Sequence, residues 1–153
     1  MIEFKNPQNI NVFESFIDRY QNLVNANLSA DNITIGSINE HHQLFNAVAT
    51  KDDPFATNSE MQPVVIAINE IVCKKLDFTE EEQHAMIAHE IGHILDQSPR
   101  QENIQLDREY NADKFAIELG LSKELKTGLV KIIESGNYSE EINDIQKRIN
   151  NLN

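Results

Sequence analysis

The sequence predicts an α+β protein with a small, mostly antiparallel sheet and a helical C-terminal half. Three observations predict it. Apolar residues recur at helical spacing near the start, short β-branched runs follow, and from Thr79 onward the helical period returns. The chain has 153 residues, of which 40% are hydrophobic and 25% charged. That is the length and composition of one globular domain with a single core. We expect one domain over 1–153, with a helix and sheet in 1–78 and the site-bearing helices in 79–153.

The elements follow in order. Phe13, Phe16, Ile17, Tyr20, Leu23 and Val24 share one face of a helix predicted over 11–26. “NITIGSI” (32–38), “QLFNAVA” (43–49) and “PVVIAI” (63–68) are short and apolar, with turn-prone residues around them, and predict three strands. Between the last two, “TKDDPFATNSEMQP” reads as a polar loop. Thr79-x-x-Glu82 has the form of a capping box, and Glu80 and Glu81 suit the positive end of a helix dipole. That helix should run to about Gln97, where Ser98-Pro99 stops it. A further helix covers 105–119, with Ala112, Phe115, Ala116 and Leu119 inward and Gly120 at its end. Ser122 is expected to cap the next, with Leu125, Leu129, Ile132 and Ile133 inward and Gly136 beyond it. Ser139 is expected to cap the last, which carries Ile142, Ile145, Ile149 and Leu152.

The composition excludes several functions. A net charge of −12 without any basic cluster repels phosphates, so no nucleic-acid partner is expected. No apolar run approaches the roughly 20 residues that span a bilayer, so no membrane partner is expected. The first residues lack the basic and then apolar regions of a secretory leader. Cys73 is the single cysteine, which rules out an internal disulfide and fits a reducing, cytoplasmic setting.

Within the helix opened by Thr79 lies “HEIGH”. His89 and His93 stand at i and i+4, with Cβ atoms about 5–6 Å apart on one face, close enough to share a zinc ion. Glu90 is rotated by roughly 100° from His89. It cannot join them as a ligand, but it can lie beside an open coordination position, where a general base belongs. Gly92 costs about 1 kcal/mol relative to alanine in a helix interior, and close approach of another segment would explain that cost. A catalytic zinc takes three protein ligands and leaves a position for water. Glu109, 16 positions beyond His93, is the expected third ligand. It shares the inward helix face with Ala112 and Ala116, where an unpaired carboxylate would be costly. Asp113, one turn on, is expected to accept the free ring N–H of a ligating histidine and fix its tautomer. Asp107 and Glu118 point away from that face, and Glu102 falls in a loop after Pro99. His41, His42 and His84 read as surface or hydrogen-bonded histidines.

With “AHEIGHI” followed by “EYNADKFAIELG”, the chain resembles the gluzincin metallopeptidases. It is most similar to the soluble minigluzincins and to the catalytic domain of the HtpX and CAAX prenyl endopeptidase family, whose pattern is HExxH followed by ExxxD. “PVVIAINEIVCKKLDFTEEEQHAMIAHEIGHI” looks like that family's strand, connecting segment and active-site helix. “KRINNL” is similar to its Arg-Ile-x-x-Leu ending. The likeness covers about residues 43–152. It implies a zincin-like fold, one Zn²⁺ per chain on His89, His93 and Glu109, Glu90 as catalytic base, Asp113 behind a ligand, and hydrolysis of a peptide or protein substrate. It also implies that Leu44, Phe45, Asn46, Ala47, Val48 and Ala49 form an edge strand along which an extended peptide pairs. The chain departs from the family in two places. It lacks the transmembrane helices of the membrane proteases. Where the family often shows a Thr-His-Pro-like segment before the last helix, it reads “SGNYSEE”, and Tyr138 is the candidate to stabilise an oxyanion there.

Two alternatives stand beside this one. ImmA/IrrE-type regulatory metallopeptidases also combine HExxH with a later acidic helix. A zinc-stabilised binding module without turnover would carry the same ligands.

Overall fold

Val64–Ile68 forms a strand buried along its whole length, side chains on both faces included. A strand covered on both faces is characteristic of parallel pairing, and it organises the first half of the chain. The computed structural model describes residues 1–27, 32–39, 54–58, 64–96, 105–138 and 141–153. They fall into two compact units, Met1–Val72 and Cys73–Asn153.

In the first unit, strand β1 (Ile2–Lys5) leads into helix α1 (Asn11–Asn27), then strands β2 (Ile33–Asn39), β3 (Phe55–Asn58) and β4 (Val64–Ile68). The strand order is β1-β2-β4-β3. β1 pairs parallel to β2, with Ile2 opposite Ile33, and β2 pairs parallel to β4, with Ile35 opposite Val64. Only β3 runs antiparallel, against β4. The mostly antiparallel sheet expected from sequence is therefore corrected to a mixed one. The physical reason is the connection: α1 carries the chain back between β1 and β2, the long crossover that parallel strands require.

α1 buries Val12, Phe13, Phe16, Tyr20 and Val24. Leu23, expected inward, is 48% exposed. Asn25 Oδ1 accepts from the Ile2 N–H at 2.9 Å, joining helix to strand. β1 and β3 were not anticipated. β3 lies inside the segment read as a polar loop, where Phe55 is buried. The strand expected over 43–49 lies outside the described residues.

α2 (Glu70–Lys75) precedes the helices of the second unit: α3 (Glu80–Leu95), α4 (Gln105–Glu118), α5 (Ser122–Ser135) and α6 (Ile142–Asn151). The capping box of α3 is present. Thr79 Oγ1 accepts from the Glu82 N–H and Glu82 Oε2 from the Thr79 N–H, both at 3.1 Å. Glu82 is buried, and Thr127 and Lys131 of α5 hold its carboxylate at 3.0 and 2.8 Å. This ties the start of α3 to α5. Gly120 and Gly136 follow α4 and α5 in left-handed conformations, with φ of 80° and 72°. Two expected caps are corrected or unseen. Leu121 stands at the N-cap of α5, so Ser122 is already helical. Glu141 stands at that of α6, and Ser139 lies outside the described residues.

α3 and α4 meet at Gly92. A Cβ there would lie 2.5 Å from the Ala112 carbonyl oxygen and 2.7 Å from Ala112 Cα. Both are backbone atoms, so the helices would have to separate. Gly92→Ala should therefore lose stability, by roughly 1–3 kcal/mol of overpacking, despite about 1 kcal/mol of improved helix propensity. Gly128→Ala is the control, since its Cβ meets the flexible end of Met86. Thermal unfolding of both variants checks this, with only Gly92→Ala expected to lower Tm.

Candidate metal centre

The Gly92–Ala112 contact sets the site. Gly92 lies between His89 and His93 on α3, and Ala112 lies between Glu109 and Asp113 on α4. With no side chain at Gly92, the two helices come close enough for one pair to meet the other. The imidazole rings of His89 and His93 sit edge to face with centroids 4.5 Å apart. His89 Nε2 lies 3.2 Å from Glu109 Oε2 and His93 Nε2 lies 3.1 Å from Glu109 Oε1. Among the described residues, His89, His93 and Glu109 offer ligand atoms all within 4.8 Å of one another.

This donor set fits zinc. Two imidazole nitrogens and one carboxylate are a known three-ligand set for a catalytic site, and bonds of about 2.0–2.1 Å in tetrahedral array separate ligand atoms by about 3.4 Å. The observed nitrogen–oxygen separations are close to that. Glu109 is partly open, with 26% of its side chain exposed, whereas His89 is closed off at 6%.

Behind these three side chains lies a second layer. His89 Nδ1 is 2.7 Å from Asp113 Oδ1. Asp113 is 1% exposed, and Arg148 of α6 donates to both its oxygens, Nε to Oδ2 at 2.9 Å and Nη2 to Oδ1 at 2.7 Å. Arg148 Nη1 also reaches Glu109 Oε2 at 3.1 Å. A carboxylate at Nδ1 holds a ring proton there, while Nε2 donates to Glu109 in the metal-free protein and would turn its lone pair to a bound cation.

The electrostatics follow from these contacts. Burial and the charge of Arg148 disfavour the His89 imidazolium, yet hydrogen bonds to Asp113 and Glu109, aided by the charge of Glu90, hold its pKa up at about 9. Burial pushes the Glu109 carboxyl up, but hydrogen bonds from His89 and His93 and the charges of His89 and Arg148 bring it well below the usual range. Asp113 is lowered against its burial in the same way, by His89 and Arg148. Arg148 is raised against its burial, first by Asp113. Counted as ions, Glu90, Glu109 and Asp113 against Arg148 leave two negative charges. One divalent cation between neutral imidazoles balances them.

A pH dependence follows for metal-free protein. His89 is raised above its ordinary 6.5, so its contribution to stability is complete below about 6.5 and lost as pH rises through about 9. Glu109 and Asp113 are lowered, so theirs is present above about 4–4.5 and lost as pH falls further. Tm in the presence of chelator should therefore peak between about pH 4.5 and 6.5 and decline toward pH 9. A flat Tm from pH 6 to 9 would contradict the His89 contacts.

The structure thus brings together His89, His93, Glu109 and Asp113, with Glu90 on the next position of α3. Tyr138 sits half-buried between α5 and α6, its carbonyl accepting from the Glu141 N–H at 3.1 Å. His84 is fully buried. His41, His42 and the edge strand Leu44–Ala49 lie outside the described residues. Arg148, quoted above only within “KRINNL”, is the member of this cluster to which sequence reasoning gave no role. Its signal was a charged residue at inward helical spacing, three after Ile145 and one before Ile149.

No described helix is long and apolar enough to cross a membrane. Compared with protein-family models, curated proteins and solved structures, the chain matches none.

Proposed function

We propose that this chain is a cytoplasmic zinc-dependent endopeptidase of the gluzincin type, with a zincin-like fold. One observation carries the reading: the Nε2 atoms of His89 and His93 converge on a single carboxylate, Glu109, while Asp113 holds the far side of His89. A zinc ion held by those three residues would polarise the scissile carbonyl and lower the pKa of water toward about 7. The protein groups do the rest. Glu90, beside the ligand face, takes a proton from the attacking water and passes it to the leaving amide nitrogen. Asp113 keeps the Nδ1 proton of His89 in place, so the ligand neither rotates nor changes tautomer. Arg148 keeps Asp113 charged and fixed. An extended peptide would pair along Leu44–Ala49, as an added strand, and Tyr138 is the candidate oxyanion donor.

The test combines zinc analysis with digestion of a peptide library. Wild-type protein should take up one zinc per chain and cleave peptides. Glu90→Gln should keep the zinc and lose roughly 10²–10⁴-fold or more in rate, because the amide preserves shape but cannot accept the proton. Normal turnover by this variant would remove Glu90 from the role. Zinc uptake with no cleavage of any peptide would favour the zinc-stabilised binding module instead.

A further inference from the structure

We infer that Arg148 is a positioning residue of the metal centre, coupling the docking of α6 to metal loading. The inference rests on the metal reading above. Three guanidinium nitrogens of Arg148 are used on two acids of α4. Nε and Nη2 hold the two oxygens of Asp113, and Nη1 holds Oε2 of Glu109. The other Glu109 oxygen, Oε1, faces His93. One planar fork thereby fixes both Glu109 and the acid behind His89: Oε2 is shared between Arg148 Nη1 and His89 Nε2, and Oε1 is left to His93. A lysine offers its donors from a single nitrogen and cannot reproduce the planar fork that meets both acids at three points. The residues that α6 buries are Ile145, Arg148 and Ile149, so Arg148 is also part of what docks the helix.

Electrostatics alone and positioning predict opposite signs. Arg148 is a cation beside a cation site, so through its charge alone its removal should tighten metal binding. If it acts by positioning, its removal should weaken binding. Thermodynamic linkage adds a reciprocal effect: whatever factor α6 docking contributes to metal affinity, the metal returns to α6 docking.

The experiment uses the full chain, stripped of metal, as wild type, Arg148→Lys and Arg148→Gln. Each is checked for folding by circular dichroism and titrated with Co²⁺ and Zn²⁺. Both variants should bind with roughly 10–100-fold weaker affinity, in the range of lost outer partners of a ligand. Their Co²⁺ absorption bands at saturation should differ from wild type, because Glu109 is no longer held by one oxygen. Folded variants with unchanged or tighter binding and an unchanged Co²⁺ spectrum would overturn the inference while leaving the metal reading intact. Wild-type protein that binds neither metal would overturn both. Hydrogen exchange of wild type alone provides a test that needs no variant. Amides around Ile145–Ile149 should slow on zinc addition, and equal rates with and without zinc would overturn the coupling.

Discussion

Glu109→Ala is expected to abolish the proposed tight zinc binding while leaving the protein folded. Among the described residues Glu109 is the acid met by both histidines, at 3.2 and 3.1 Å. Without it only the two imidazoles remain, and two ligands do not make a zinc site of the usual three plus water. The loss should exceed the roughly 10–100-fold typical of outer partners. The fold should survive, because 26% of the Glu109 side chain is exposed and water can replace it. Its removal also withdraws one of the acids that raise the His89 pKa. Metal-free Glu109→Ala should therefore show a weaker alkaline decline in Tm than wild type. Asp107→Ala is the control: Asp107 is exposed on the same helix and should change neither quantity. A zinc affinity within a few-fold of wild type for Glu109→Ala would require another third ligand.

How much of this could be read beforehand differs by element. α3 was legible in detail, because Thr79 and Glu82 are a local device whose hydrogen bonds depend on four residues of chain. α4 was legible because Ala112, Phe115, Ala116 and Leu119 mark one face, and all four are buried. That same face located Glu109 and Asp113. Sheet topology was less legible. “VVIAI” carries no alternation, which suits a parallel strand covered on both faces but does not say which strands lie beside it. β1 and β3 have four residues each, too few to establish a period. The role of Arg148, seen in the sequence only as part of “KRINNL”, was hidden for a different reason. Inward position on a helix is normally read from apolar residues, and a buried arginine becomes intelligible only once Asp113 and Glu109 are seen beside it.

Asp113→Ala separates stability from metal binding in the opposite direction. Asp113 is 1% exposed and accepts three hydrogen bonds, from His89 Nδ1 and from Nε and Nη2 of Arg148. Alanine leaves a buried guanidinium, 8% exposed, without its main partner. Breaking a buried ion pair from one side costs roughly 3–5 kcal/mol, since the remaining charge keeps its desolvation penalty. The three proposed ligands themselves are untouched, so zinc affinity should fall by roughly 10–100-fold as His89 loses its fixed tautomer and orientation. Glu109→Ala should thus be the more damaging to metal binding and Asp113→Ala the more damaging to folding. Denaturant unfolding in chelator, with zinc titration of whichever variant remains folded, measures both. Asp113→Ala combined with Arg148→Met removes the stranded charge and should recover part of the lost stability without restoring zinc affinity. Equal effects of Glu109→Ala and Asp113→Ala on both quantities would mean that the two acids share one role. An Asp113→Ala protein as stable as wild type would mean that Arg148 finds another acid, with Glu109, already 3.1 Å from its Nη1, the nearest candidate.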